Sequence, residues 1–181
     1  MKTTFFSITT LAFGFLSFGK GQSDTYGFKP NHSIVITQTS FSTNEIVNGY
    51  LKIKNALVKS DFKGAAQFGV ALSKTLDEVT TDGLSSTQNA KWQAIIQQAQ
   101  KQTQIIAASA GKSDKQRKAF QELSKSMQEL ITTFGAGQKL YLDFCPMYEG
   151  GSVWISESKD IKNPYYGAQM LTCGKIKETF E

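Results

Sequence analysis

Four sulfur-bearing side chains near the C-terminus are the residues of this chain best suited to chemistry. In Cys145-Pro146-Met147 a thiol and a thioether stand two positions apart, on one face of an extended segment. In Met170-Leu171-Thr172-Cys173 they stand three apart, on one face of a helical turn. If the two segments pack together, Cys145, Met147, Met170 and Cys173 form a donor set of two thiolates and two thioethers, which soft copper(I) prefers. The competing reading of Cys145 and Cys173 is a disulfide, the usual fate of two cysteines in an exported chain. It would close a loop of about 28 residues and contribute on the order of 3 kcal/mol through loop entropy. Met147 and Met170 would then pack as ordinary hydrophobes against Trp154, Tyr165 and Tyr166. Those three aromatic residues also suit the anchor of an interaction surface. On the residues alone these alternatives stay open, and so does a pair of unpaired or redox-active thiols.

Other chemistries are poorly supplied. His32 is the one histidine of the 181 residues, too little for a multi-histidine zinc site and badly placed as a catalytic base. Asp143 and Glu149 flank Cys145, but carboxylates beside turns are ordinarily solvated. The Cys-x-x-Cys spacing of thiol oxidoreductases is absent. The expectation is a protein that is not an enzyme. Net charge is +5, with Lys2 and Lys20 contributing two of it, and Arg117 is the single arginine among 20 basic residues. Recognition of nucleic acid by arginine forks is therefore not expected.

The sulfur segments need a frame, and the chain upstream has helical period. Ile46, Tyr50, Ile53 and Leu57 form one stripe, with Ser42 and Glu45 as a capping box. Phe62, Ala65, Gly69, Leu72, Leu76 and Val79 form a second, capped by Ser60 and stopped by Gly83. Trp92, Ile95, Ala99 and Ile106 form a third, entered at Ser85 with Gln88 in the box position and ended by Gly111. Phe120, Leu123, Met127, Leu130 and Phe134 form a fourth, entered at Ser113 with Gln116 in the box position and ended by Gly135. Met127 reads as core. The many Gln of the third stretch read as a solvated face, and Arg117 as an exposed side chain at a helix start. Short links between four amphipathic helices predict a mainly α fold, an up-down four-helix bundle.

The period changes at Lys139. Leu140–Cys145 and Val153–Ser156 read as paired strands around the turn Glu149-Gly150-Gly151. Asn163-Pro164-Tyr165-Tyr166-Gly167 reads as a rigid turn, and Gln169 to Cys173 as one helical turn. The bundle domain, residues 42–181, thus ends in a small C-terminal β-hairpin and turn module over about 139–177. At the other end, a positive start, an apolar run from Phe5 to Phe18 and a small polar stretch have the layout of a signal peptide over residues 1–22. Residues 23–41 form a lead-in. No other segment is apolar enough to span a membrane, so a periplasmic or secreted protein is expected.

Residues 140–147, 154–156 and 161–174 resemble an exported bacterial domain family of unknown function. The segments 50–57 and 116–124 are similar to its helical parts, so the likeness covers about residues 44–177. Members occur alone or attached to periplasmic adaptor (membrane fusion) proteins of heavy-metal efflux systems. The resemblance implies a copper-related role and partners among efflux components or other envelope proteins. The Cys-Pro-Met and Met-x-x-Cys-Gly pieces are also similar to the short heavy-metal-binding domain of copper pumps. This chain departs from it at Tyr148, where that domain has His, and at Lys175, where it has Met.

Overall fold

Each apolar stripe folds as a helix that turns the stripe inward. The structure, a computed structural model, describes residues 41–181. The expected signal peptide, His32 and all of the lead-in except Phe41 lie outside the described residues. The helices are α1 (Asn44–Val58), α2 (Phe62–Glu78), α3 (Ser86–Ala108) and α4 (Ser113–Phe134). Ile46, Tyr50, Ile53, Leu57, Leu72, Ile106, Phe120, Leu123, Met127 and Leu130 are all buried in one core cluster. Consecutive helices pack on one another. At Gly69 α2 comes so close to α3 that a Cβ would stand 3.1 Å from the Ala107 nitrogen and the Thr103 carbonyl oxygen. Phe41 closes the far end, edge-on to Trp92 and tilted against Phe134.

The helix ends follow the expected chemistry in part. Ser85 and Gln88 form the predicted capping box. Gly111 and Gly135 take the positive φ that a helix stop needs. The α1 cap is Thr43, whose hydroxyl does not cap the helix but donates to the Gly135 carbonyl at 2.7 Å. The α2 cap is Asp61, whose carboxylate accepts from the Gly64 N–H at 2.8 Å, while Ser60 adopts a positive φ as the chain turns. Gln116 does not cap α4. It is buried, and its Nε2 donates to the Phe62 and Ile106 carbonyls at 2.9 and 3.1 Å, tying α4 to α2 and α3.

Three strands follow: β1 (Leu140–Cys145), β2 (Ser152–Ser156) and β3 (Lys175–Phe180). They form an antiparallel sheet in the order β2-β1-β3. In β1 against β2, Asp143 faces Trp154 and Cys145 faces Ser152. In β1 against β3, Leu142 faces Glu178 but Asp143 faces Ile176, so a bulge shifts the register at Asp143. The expected two-strand module is thus a three-stranded sheet. The third strand was illegible because Lys-Ile-Lys-Glu-Thr-Phe is exposed along nearly its whole length and shows no apolar face. Between β2 and β3 a 3₁₀ turn spans Gly167–Gln169, earlier than the predicted helical turn. The helices and sheet share one core, with α4 packed on β2. Among the described residues no helix is long and apolar enough to cross a membrane.

Candidate thiol and soft-metal site

Strand pairing brings the two cysteines near each other. Phe144 of β1 faces Lys175 at the start of β3. Cys145, one residue on, therefore lies beside the chain just before β3, which carries Cys173. The sulfurs are 3.3 Å apart. Gly174 permits the approach, because a Cβ there would meet Trp154 at 2.8 Å and the Phe144 carbonyl oxygen at 3.0 Å. Cys145 is fully buried, and Cys173 is half-buried. The neighbouring Cys145 thiol, followed by desolvation, pushes the Cys173 thiol above its ordinary value.

Asn163 holds the second cysteine in place. Its side chain is fully buried. Nδ2 donates to the Cys173 carbonyl at 2.8 Å, and Oδ1 accepts from the Tyr165 and Tyr166 N–H groups at 2.8 and 3.3 Å. Its own backbone N–H donates to the Leu171 carbonyl at 2.8 Å. The turn read in Asn163-Pro164-Tyr165-Tyr166-Gly167 is thus a clamp on the segment that bears Cys173, a role its turn chemistry alone did not disclose.

The four predicted ligand residues are unequally placed. The structure brings the two thiols together. Met147 and Met170 stand outside the core with 61% and 37% of their surface exposed. Among the described residues no group of three or more His, Cys, Asp and Glu side chains is arranged to hold a metal ion.

The aromatic residues expected to form an interaction surface mostly do not. Trp154 and Tyr165 are 0% and 1% exposed. They pack edge-to-face with each other, and Tyr148 stacks on Tyr165 with centroids 4.4 Å apart. Their large apolar area closes the seam between sheet and helices, where burial is worth more than presentation. Tyr166 alone is partly accessible, and its hydroxyl donates to the Met147 carbonyl at 2.9 Å. Arg117 is also not the exposed residue expected. It is half-buried over the Phe62 ring, and desolvation lowers its pKa. Tyr148, near it, is pushed up to about 12, chiefly by burial.

A partly buried group of charged and polar residues was missed in the sequence. Lys54 on α1 is almost wholly buried, and its Nζ bonds Glu157 at 2.6 Å, while Asn55 Nδ2 donates to the same carboxylate at 2.8 Å. Burial pulls the Glu157 pKa upward, but these bonds outweigh it and hold the group below the usual value. Asp143, expected to be solvated, is buried with neither carboxylate oxygen hydrogen-bonded. Desolvation lifts its pKa to about 7 against the downward pull of Lys54, and Glu157 adds to the rise. The Trp154 indole N–H pulls it down slightly, although it falls short of an aligned hydrogen bond. Nearby, Tyr50 accepts from the Ile155 N–H and bonds Ser124, and burial raises its pKa strongly. No periodic pattern separates these polar residues from solvated ones, so nothing in the sequence marked them.

No curated protein and no solved structure matches this chain. Residues 46–139, the span from α1 to the threshold of β1, match a family described as "Protein of unknown function (DUF3347)". That span is more than half of the chain, and the protein belongs to this family.

Proposed function

We propose that this chain is an exported, non-catalytic protein that binds copper(I) through Cys145 and Cys173, with Met147 and Met170 completing the donor set. On this reading it buffers or passes the ion in the periplasm for heavy-metal efflux components. The observation that supports it is the 3.3 Å between the two sulfurs, which come from segments 28 residues apart. Two thiolates sharing one ion sit at most roughly 4.6 Å apart, twice a metal–sulfur bond of about 2.3 Å. Cys173 is half-buried and partly accessible, while Cys145 is enclosed in the core. On this reading Met147 and Met170, two and three residues from the cysteines and partly exposed, supply the thioethers. The four helices, taken as an up-down bundle on their short links, serve as the rigid platform.

The test is anaerobic titration of the reduced full chain with copper(I) against a chromophoric chelator. One ion per chain is expected. Cys145→Ser and Cys173→Ser should each weaken binding by more than about 100-fold, beyond the cost of changes outside the ligand sphere. Wild-type affinity in either variant overturns the reading.

The same distance favours a second reading, a structural Cys145–Cys173 disulfide in an envelope interaction module. Sulfurs already in contact reach the bonding distance of about 2.05 Å by a small side-chain rotation. Intact mass of periplasmic material before and after reduction and alkylation separates the two readings.

A further inference from the structure

The two thiols differ in access, and that difference assigns them an order of reaction. Cys145 ends β1 with no exposed surface, and it belongs to the same core cluster as Trp154 and Tyr165. Cys173 lies in the loop before β3 and is half-buried, with the exposed side chains of Met170 and Leu171 close by in sequence. An external disulfide can therefore touch one of them first. We infer that Cys173 is the attacking thiol and Cys145 the resolving thiol of an exchange with a small-molecule disulfide, which closes and reopens the donor pair.

The Cys173 thiolate attacks one sulfur of an external disulfide R–S–S–R, forming Cys173–S–S–R and expelling one thiolate, which takes up a proton. Cys145, in contact with Cys173 Sγ at 3.3 Å, loses its proton and attacks that sulfur. The Cys145–Cys173 bond forms, and the second R–S⁻ leaves as a thiol. Two electrons pass from the two cysteines to the external disulfide, and excess thiol runs both steps backward. Asn163 keeps the Cys173 backbone fixed during the exchange, so the mixed disulfide stays within reach of Cys145. The regulatory consequence, that closing the bond withdraws both thiolates from a bound soft ion, rests on the copper(I) reading. The order of attack does not.

The experiment uses the reduced full chain and oxidised glutathione, followed by intact mass and peptide mapping. Wild type should lose the mass of two hydrogen atoms, and the glutathione trapped transiently in early acid-quenched samples should sit on Cys173 only. Cys145→Ser should accumulate one glutathione per chain. Cys173→Ser should react at least about tenfold more slowly, as a buried thiol does. Because a polar group at position 145 can disturb the core, Cys145→Ala is run beside it, and both are checked for native helical circular dichroism. Equal rates in Cys145→Ala and Cys173→Ser, or early glutathione on Cys145, overturn the assignment. A repeat with copper(I) added keeps the two ideas separate. Absence of binding with the order of attack intact overturns the copper reading and leaves the exchange standing.

Discussion

Asp143 is the residue whose environment is furthest from what its chemistry wants. A buried carboxylate without a donor favours its protonated form, which is why its pKa stands at about 7 and not near 3.8. Below about pH 4 both folded and unfolded chains bind the proton, and nothing is lost. Between about pH 4 and 7 only the folded chain keeps it, so this group's contribution to stability falls as pH rises and is gone above about 7. The difference corresponds to about 4 kcal/mol. Asp143→Asn should therefore flatten the slope of unfolding free energy between pH 4 and 7. At pH 8 the variant should be more stable than wild type, as read by urea titration. A destabilised variant with an unchanged slope would mean that Asp143 is ionised and paired with Lys54.

Gln116 states the same lesson for elements. Its amide bonds two carbonyls of neighbouring helices from inside the core. Gln116→Leu should lower unfolding free energy by about 2 kcal/mol, since two buried acceptors lose a donor. Exposed Gln97→Ala on α3 should stay within about 0.5 kcal/mol of wild type. Equal effects in urea titrations of the two variants would remove the inter-helix role. Sequence gives these two glutamines the same letter, and Gln116 even sits where a capping box would have it. What was legible was what periodicity reports: four helices, their inward faces and two strands. What was not legible depends on neighbours distant in the chain. Trp154 and Tyr165 looked like surface anchors because sequence carries no measure of what covers them. The cysteine pairing was readable as a possibility from spacing, but its realisation depends on the Phe144–Lys175 register and on Asn163.

At the scale of the molecule, the thiol pair joins the ends of the sheet's central and edge strands. Oxidising it should raise unfolding free energy by about 3 kcal/mol, measured by urea titration with and without reductant. The Cys145→Ala/Cys173→Ala double variant should ignore the reductant. An equal response in that variant would show that the reductant acts elsewhere.

The match to the family stops at residue 139, yet Leu140, Leu142, Trp154, Ile155 and Tyr165 share one apolar interior with the four helices. The kinship boundary is therefore no seam in the material. A cut made there would leave an open wound along α4, and whatever the sulfurs do is cast in one piece with the scaffold that carries the family's signature.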